Sequence, residues 1–79
     1  PNPFIDQTTI TYQINEATEV SVSVYDMNGR KVTQLVPNHK VEAGNYEVIY
    51  QPNQAPYGVY VVVLKTTDMI ISKRLVWMR

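Results

Sequence analysis

The chain has no cysteine, one histidine, one tryptophan, three glycines and a formal net charge of zero. Without cysteine there is no disulfide framework and no thiolate zinc site, although such a chain can cross oxidising space without mispairing. The lone His39, between Asn38 and Lys40, has no second imidazole to complete a transition-metal site and reads as a solvated loop residue. Three scattered glycines cannot form a phosphate cradle. Zero net charge, with charged residues at 18%, argues against nucleic acid as a partner. No apolar run is long enough to span a membrane, and no helical stripe of apolar residues is present.

Nor does any residue cluster suggest chemistry. Glu16 and Glu19 flank a turn, but two carboxylates without a large cleft do not make a glycosidase. Asp26-Met27-Asn28-Gly29 resembles the start of a calcium loop, yet the remaining ligands and the closing glutamate are missing. No nucleophile is paired with a base. The sequence therefore points away from an enzyme and offers no catalytic, metal or cofactor-binding residue.

What is present is strand patterning, within a single 79-residue domain whose 44% hydrophobic content allows one thin core. Thr8, Ile10, Tyr12 and Ile14 share one face of a first strand, and Asn15 to Thr18 is a turn. In the second, Glu19 to Asp26, the valines at 20, 22 and 24 alternate with Ser21 and Ser23. Asn28-Gly29 then predicts a type I′ turn. Lys31 to Val36 is a third strand with faulty alternation: Val32 and Val36 share a face with Gln34 while Leu35 points away, which implies a bulge or a short strand. Pro37-Asn38-His39-Lys40 is expected to break it.

Asn45 to Gln51 is the fourth strand, with Tyr46, Val48 and Tyr50 on one face. Pro52 to Tyr57 reads as a loop. The fifth, Gly58 to Thr66, carries Tyr60, Val62 and Leu64 on one face and Val59, Val61 and Val63 on the other, so it is either central and covered or a contact surface. After a turn at Thr67-Asp68, Met69 to Arg79 forms the last strand, with Ile71, Leu75 and Trp77 opposite Ile70, Val76 and Met78. The pattern predicts an all-β, immunoglobulin-like antiparallel β-sandwich of about six to seven strands in two sheets. Pro1-Asn2-Pro3-Phe4 is extended, reads as the exit from a linker, and could add the seventh, short edge strand.

Charge is unevenly distributed. Residues 1–29 hold Asp6, Glu16, Glu19 and Asp26 and no base, while the rest holds seven bases against Glu42, Glu47 and Asp68, so the halves carry −4 and +4. Either strand surfaces pair within the molecule, or the basic end with Lys73, Arg74 and Arg79 faces an acidic partner. Four tyrosines, at 12, 46, 50 and 60, fall on core faces, leaving Tyr25 and Tyr57 as the exposed aromatics. Beginning at Pro1 without an initiator methionine, the chain is expected to be part of a longer polypeptide.

Five segments, in order, resemble the C-terminal sorting domains of proteins exported by the type IX secretion system of Bacteroidetes. They are Pro1-Asn2-Pro3-Phe4 with Thr8 to Tyr12, Val20 to Asp26 running into Gly29-Arg30-Lys31-Val32, and Gly44 with Tyr46. Pro56-Tyr57-Gly58-Val59-Tyr60 and a last strand with Lys73 and closing Arg79 complete the set. The chain departs from many relatives at Tyr50, where they carry tryptophan, and in a less polar penultimate strand. Part of the pattern is shared with the immunoglobulin-like domain of flagellar hook-capping proteins.

The resemblance implies a non-enzymatic address on an N-terminal cargo domain, read by an outer-membrane secretion translocon. It also implies removal by a sortase-like peptidase N-terminal to Pro1, often with cargo transfer to anionic lipopolysaccharide. The route runs through the periplasm to the cell surface or the medium. The residues expected to be recognised are Lys73, Arg74, Val76 and Arg79, with the Gly29-Arg30-Lys31 turn second. The alternatives are a structural spacer module like the hook-capping domain and, from Tyr25, Tyr57 and Trp77, a carbohydrate-binding module. Valine-rich strands with little edge charge also predict that the isolated domain dimerises by edge pairing or strand exchange.

Overall fold

The computed structural model describes residues 6–52 and 55–78. Six strands follow in chain order: β1 (Thr8–Ile14), β2 (Thr18–Asp26), β3 (Lys31–Val41), β4 (Gly44–Tyr50), β5 (Gly58–Thr66) and β6 (Ile70–Trp77). β1 pairs with β4 in one sheet, and the other runs β3-β2-β5-β6, every pairing antiparallel. The all-β sandwich follows from the strand spacing, although nothing in the strand order singles out the immunoglobulin arrangement. The seventh strand expected at Pro1 to Phe4 lies outside the described residues.

The alternation in β2 does what period 2 requires. Val20, Val22 and Val24 are wholly buried between the layers, each removal from water stabilising the fold by roughly 1.5–3 kcal/mol. Val22 and Val24 pack with Tyr50, Tyr60, Val62, Leu75 and Trp77, while Val20 joins Ile14 and Val41 in a second cluster at one end. Tyr12 and Tyr46, opposed across β1 and β4, stack with ring centroids 5.5 Å apart. β5 is central, so both of its valine-rich faces are at least partly covered.

β3 departs most from expectation. Pro37-Asn38-His39-Lys40 does not end it; the strand continues to Val41, and His39 is an exposed strand residue opposite Val20 rather than part of a loop. Two features make this possible. β3 is an edge strand, so a missing amide need cost no ladder bond, and Pro37 falls where the register jumps from Val20↔His39 to Val22↔Val36. Two further shifts, between Val22 and Ser23 and between Val24 and Tyr25, again place an extra residue on β3. These bulges account for the faulty alternation: consecutive Leu35 and Val36 both reach the core, and Gln34 stays exposed.

The β2–β3 turn also differs from the type I′ expectation. Asp26 N–H donates to the Arg30 carbonyl (2.9 Å) and Gly29 N–H to the Asp26 carbonyl (3.0 Å), so three residues cross the turn. Gly29 has φ 86°, but among the described residues no non-glycine has positive φ. Type I′ needs positive φ at both Asn28 and Gly29; a type I turn closed by a left-handed glycine needs it only at Gly29.

Candidate recognition surface

Asp26 organises the β2–β3 turn. Its Oδ1 accepts from the N–H groups of Asn28 (2.9 Å) and Arg30 (3.0 Å), and Arg30 Nε donates to Oδ2 at 3.3 Å. The Arg30 amide above all, then the Asn28 amide and the Arg30 charge, hold the Asp26 carboxyl below its ordinary value against a smaller opposing effect of burial. Gly29 and Arg30 thus serve the turn itself, while Lys31 leads out of it.

Registers across the larger sheet place Lys31 opposite Tyr25, Tyr25 opposite Val61 and Val61 opposite Arg74. These four residues form one transverse row on the outward face, opposite to the buried valines, spanning about 14 Å at the usual strand spacing. Val76 shares that face beside Val59, and Lys65 lies on it beside Ser21 and Ile70. The centre is therefore a half-covered valine and tyrosine strip rimmed by Lys31, Lys65 and Arg74. On this face the acid is Glu19, at the far end opposite Lys40, where its Oε1 accepts from Asn38 Nδ2 at 2.8 Å. Among the described residues the single ion pair is Asp26–Arg30, so strand-surface pairing does not absorb the excess of bases.

The expected recognition set is accordingly divided. Lys31 and Arg74 share the outward face from opposite edges of the sheet, with Val76 on that face of β6 as well, whereas Lys73, one residue on from Ser72, points to the opposite side of β6. Arg79 lies outside the described residues. β6 itself changes character along its length: Ile70 to Arg74 are all exposed, and Leu75 and Trp77 are buried. Ile71 and Lys73, on the same side of β6 as the buried Leu75 and Trp77, remain exposed. Beside them a cavity of about 180 Å³ opens between the layers, lined by Ile10, Tyr12, Val62, Leu64, Ile71 and Lys73.

The two glycine–x–tyrosine segments have a shared structural role that their repetition in the sequence could have signalled. Gly44 and Gly58 open β4 and β5 with φ 157° and 151°, in a region that favours glycine. Two residues later each tyrosine hydroxyl returns to a carbonyl four residues upstream: Tyr46 to Glu42 (2.6 Å) and Tyr60 to Pro56. Each bond pins the incoming connection to its strand, in the manner of the tyrosine corners of sandwich folds. Burial raises the Tyr60 pKa, helped by the Asp26 charge. Tyr57 leans on Trp77 (centroids 4.8 Å), but Trp77 faces the core and Tyr25 the outward side, so the three aromatics proposed for sugar binding form no common platform.

Among the described residues no group of three or more His, Cys, Asp or Glu side chains could hold a metal, and no helix is long and apolar enough to cross a membrane. The chain matches a family model described as a secretion system C-terminal sorting domain over residues 1–78. No curated protein and no solved structure shows significant similarity to it.

Proposed function

Because the chain belongs to the C-terminal sorting domains of the type IX secretion system, we propose that residues 1–79 are a folded address read by direct protein contact. The family is one of secretion signals rather than enzymes, borne on larger cargo polypeptides bound for the cell surface or the extracellular space. In our reading the cargo passes through the periplasm and the outer-membrane translocon engages the outward face and C-terminal strand of the larger sheet. A sortase-like peptidase then cuts N-terminal to Pro1, and the cargo is anchored or released.

The observation that carries this reading is the Lys31–Tyr25–Val61–Arg74 row. It joins two separate stretches of the family signature, residues 25–32 and the last strand, on one apolar surface with a basic rim. A charged rim around an apolar centre steers and selects a partner of opposite sign. The test is a leader-bearing reporter fused to residues 1–79 in a host with the secretion system, compared with the same fusion lacking Leu75 to Arg79. The truncated fusion is expected to stay in the cell; equal export of both overturns the proposal.

A further inference from the structure

Resting on the sorting-signal reading, we infer that the first half of β6 is a strand-addition site. It accepts an extended segment of a partner protein in which two adjacent acidic residues are flanked by β-branched apolar ones. β6 ends the sheet, so one side of its backbone has no strand partner among the described residues. Edge strands are ordinarily blunted, yet Ile70 and Ile71 are 67% and 46% exposed on opposite faces of this one.

The cavity beside Ile71 gives an incoming strand somewhere to place its inward side chains. Val62 and Leu64 line it from the larger sheet and Ile10 and Tyr12 from the smaller, so an apolar residue opposite Ile71 would pack at its mouth. Lys73 and Arg74 then set the charge of the incomer. Being adjacent, they project to opposite faces, and among the described residues neither has an ion-pair partner. A paired strand meets both only if two consecutive residues are acidic, one on each face.

A second copy of the chain is a poorer occupant. Antiparallel β6–β6 pairing centred on Ser72 would set Lys73 against Ile71 and Arg74 against Ile70 of the other copy, so neither cation would meet an acid. Main-chain hydrogen bonds would supply the affinity, and the two cations with the cavity the selectivity.

The test uses a cargo polypeptide carrying this domain and a blocked octapeptide with two central glutamates flanked by valines, titrated while Trp77 fluorescence is followed. Two further peptides carry backbone N-methyl groups on alternate residues, one along each edge. Saturable binding is expected, with loss of at least about tenfold in affinity for Lys73→Glu/Arg74→Glu. Only one of the N-methylated peptides should bind, because only one edge faces β6. Absence of binding, equal binding of both N-methylated peptides, or indifference to the charge reversal each overturns strand addition. So does displacement of the peptide by self-association of the cargo at high concentration, which makes a second copy the occupant. Export of the reporter lacking Leu75 to Arg79 is scored separately. If that export is lost while the peptide fails to bind, strand addition falls and the sorting reading stands.

Discussion

Replacing Tyr60 by phenylalanine removes one hydroxyl and keeps the ring, so it isolates the bond to the Pro56 carbonyl. Tyr60 is only 5% exposed and its ring packs with Val22, Val24 and Trp77 in the main core cluster. Losing a hydrogen bond costs about 1 kcal/mol net, and stranding a partly buried carbonyl adds up to about 1 kcal/mol more. The expected loss is therefore about 1–2 kcal/mol, a large share of the roughly 3–5 kcal/mol that holds a domain of this size together.

Tyr46→Phe is the internal control. Its hydroxyl makes the same four-residue return, to Glu42, but at an exposed site where water can replace it, so about 0.5 kcal/mol is expected. Urea unfolding followed by Trp77 fluorescence measures both variants. With a slope near 1 kcal/mol per molar, Tyr60→Phe should lower the midpoint by about 1–2 M and Tyr46→Phe by about 0.5 M. A Tyr60→Phe midpoint within error of the parent, or a larger effect from Tyr46→Phe, refutes the claim that the second corner holds β5 to its preceding loop.

Gly29→Ala should destabilise by about 1 kcal/mol, because φ 86° penalises a Cβ although nothing lies within 4 Å of it; Gly29→Asn should cost less. Equal melting temperatures for the Gly29→Ala variant and its parent would contradict the turn assignment. The stabilising effect of the Asp26 carboxylate is present above its unfolded-state value near 3.8 and is lost as pH falls through the lower folded value. Asp26→Asn should therefore flatten the decline in stability below pH of about 4, and an unchanged acid limb would count against the Arg30 and Asn28 amides as the cause. Light scattering of the isolated domain over a concentration series should show association through free strand edges other than β6, and a constant monomer mass would remove that expectation.

Strand existence was legible where alternation met no interruption. The boundaries of β1 and β5 follow from Thr8–Ile14 and Gly58–Thr66, because their core residues recur at period 2 and the flanking residues are turn formers. β3 was not legible past Val36, since proline and two polar residues read as a break when the strand's edge position and its bulges are unknown. Asn28-Gly29 locates the turn without fixing its type, because Asn-Gly suits both a two-residue loop and a left-handed glycine after a type I turn. For the recognition surface the residue types were legible but their grouping was not. Lys31 and Arg74 fall in one row through a register across four strands, and Lys73 leaves that face through the parity of a single strand. The cavity beside Ile71 depends on how far one sheet covers the other, which no local pattern encodes.

The central claim is that the folded sheet presents a surface that is read, and a pair of charge reversals separates reading from folding. Lys31 and Arg74 are exposed and outside any ion pair among the described residues, so Lys31→Glu/Arg74→Glu should leave the melting temperature of the domain nearly unchanged. The direct measurement is the exported fraction of the reporter carrying this double variant, beside the unaltered fusion in the same host. Several-fold lower export at equal stability is the predicted result, and export equal to that of the unaltered fusion would contradict the account.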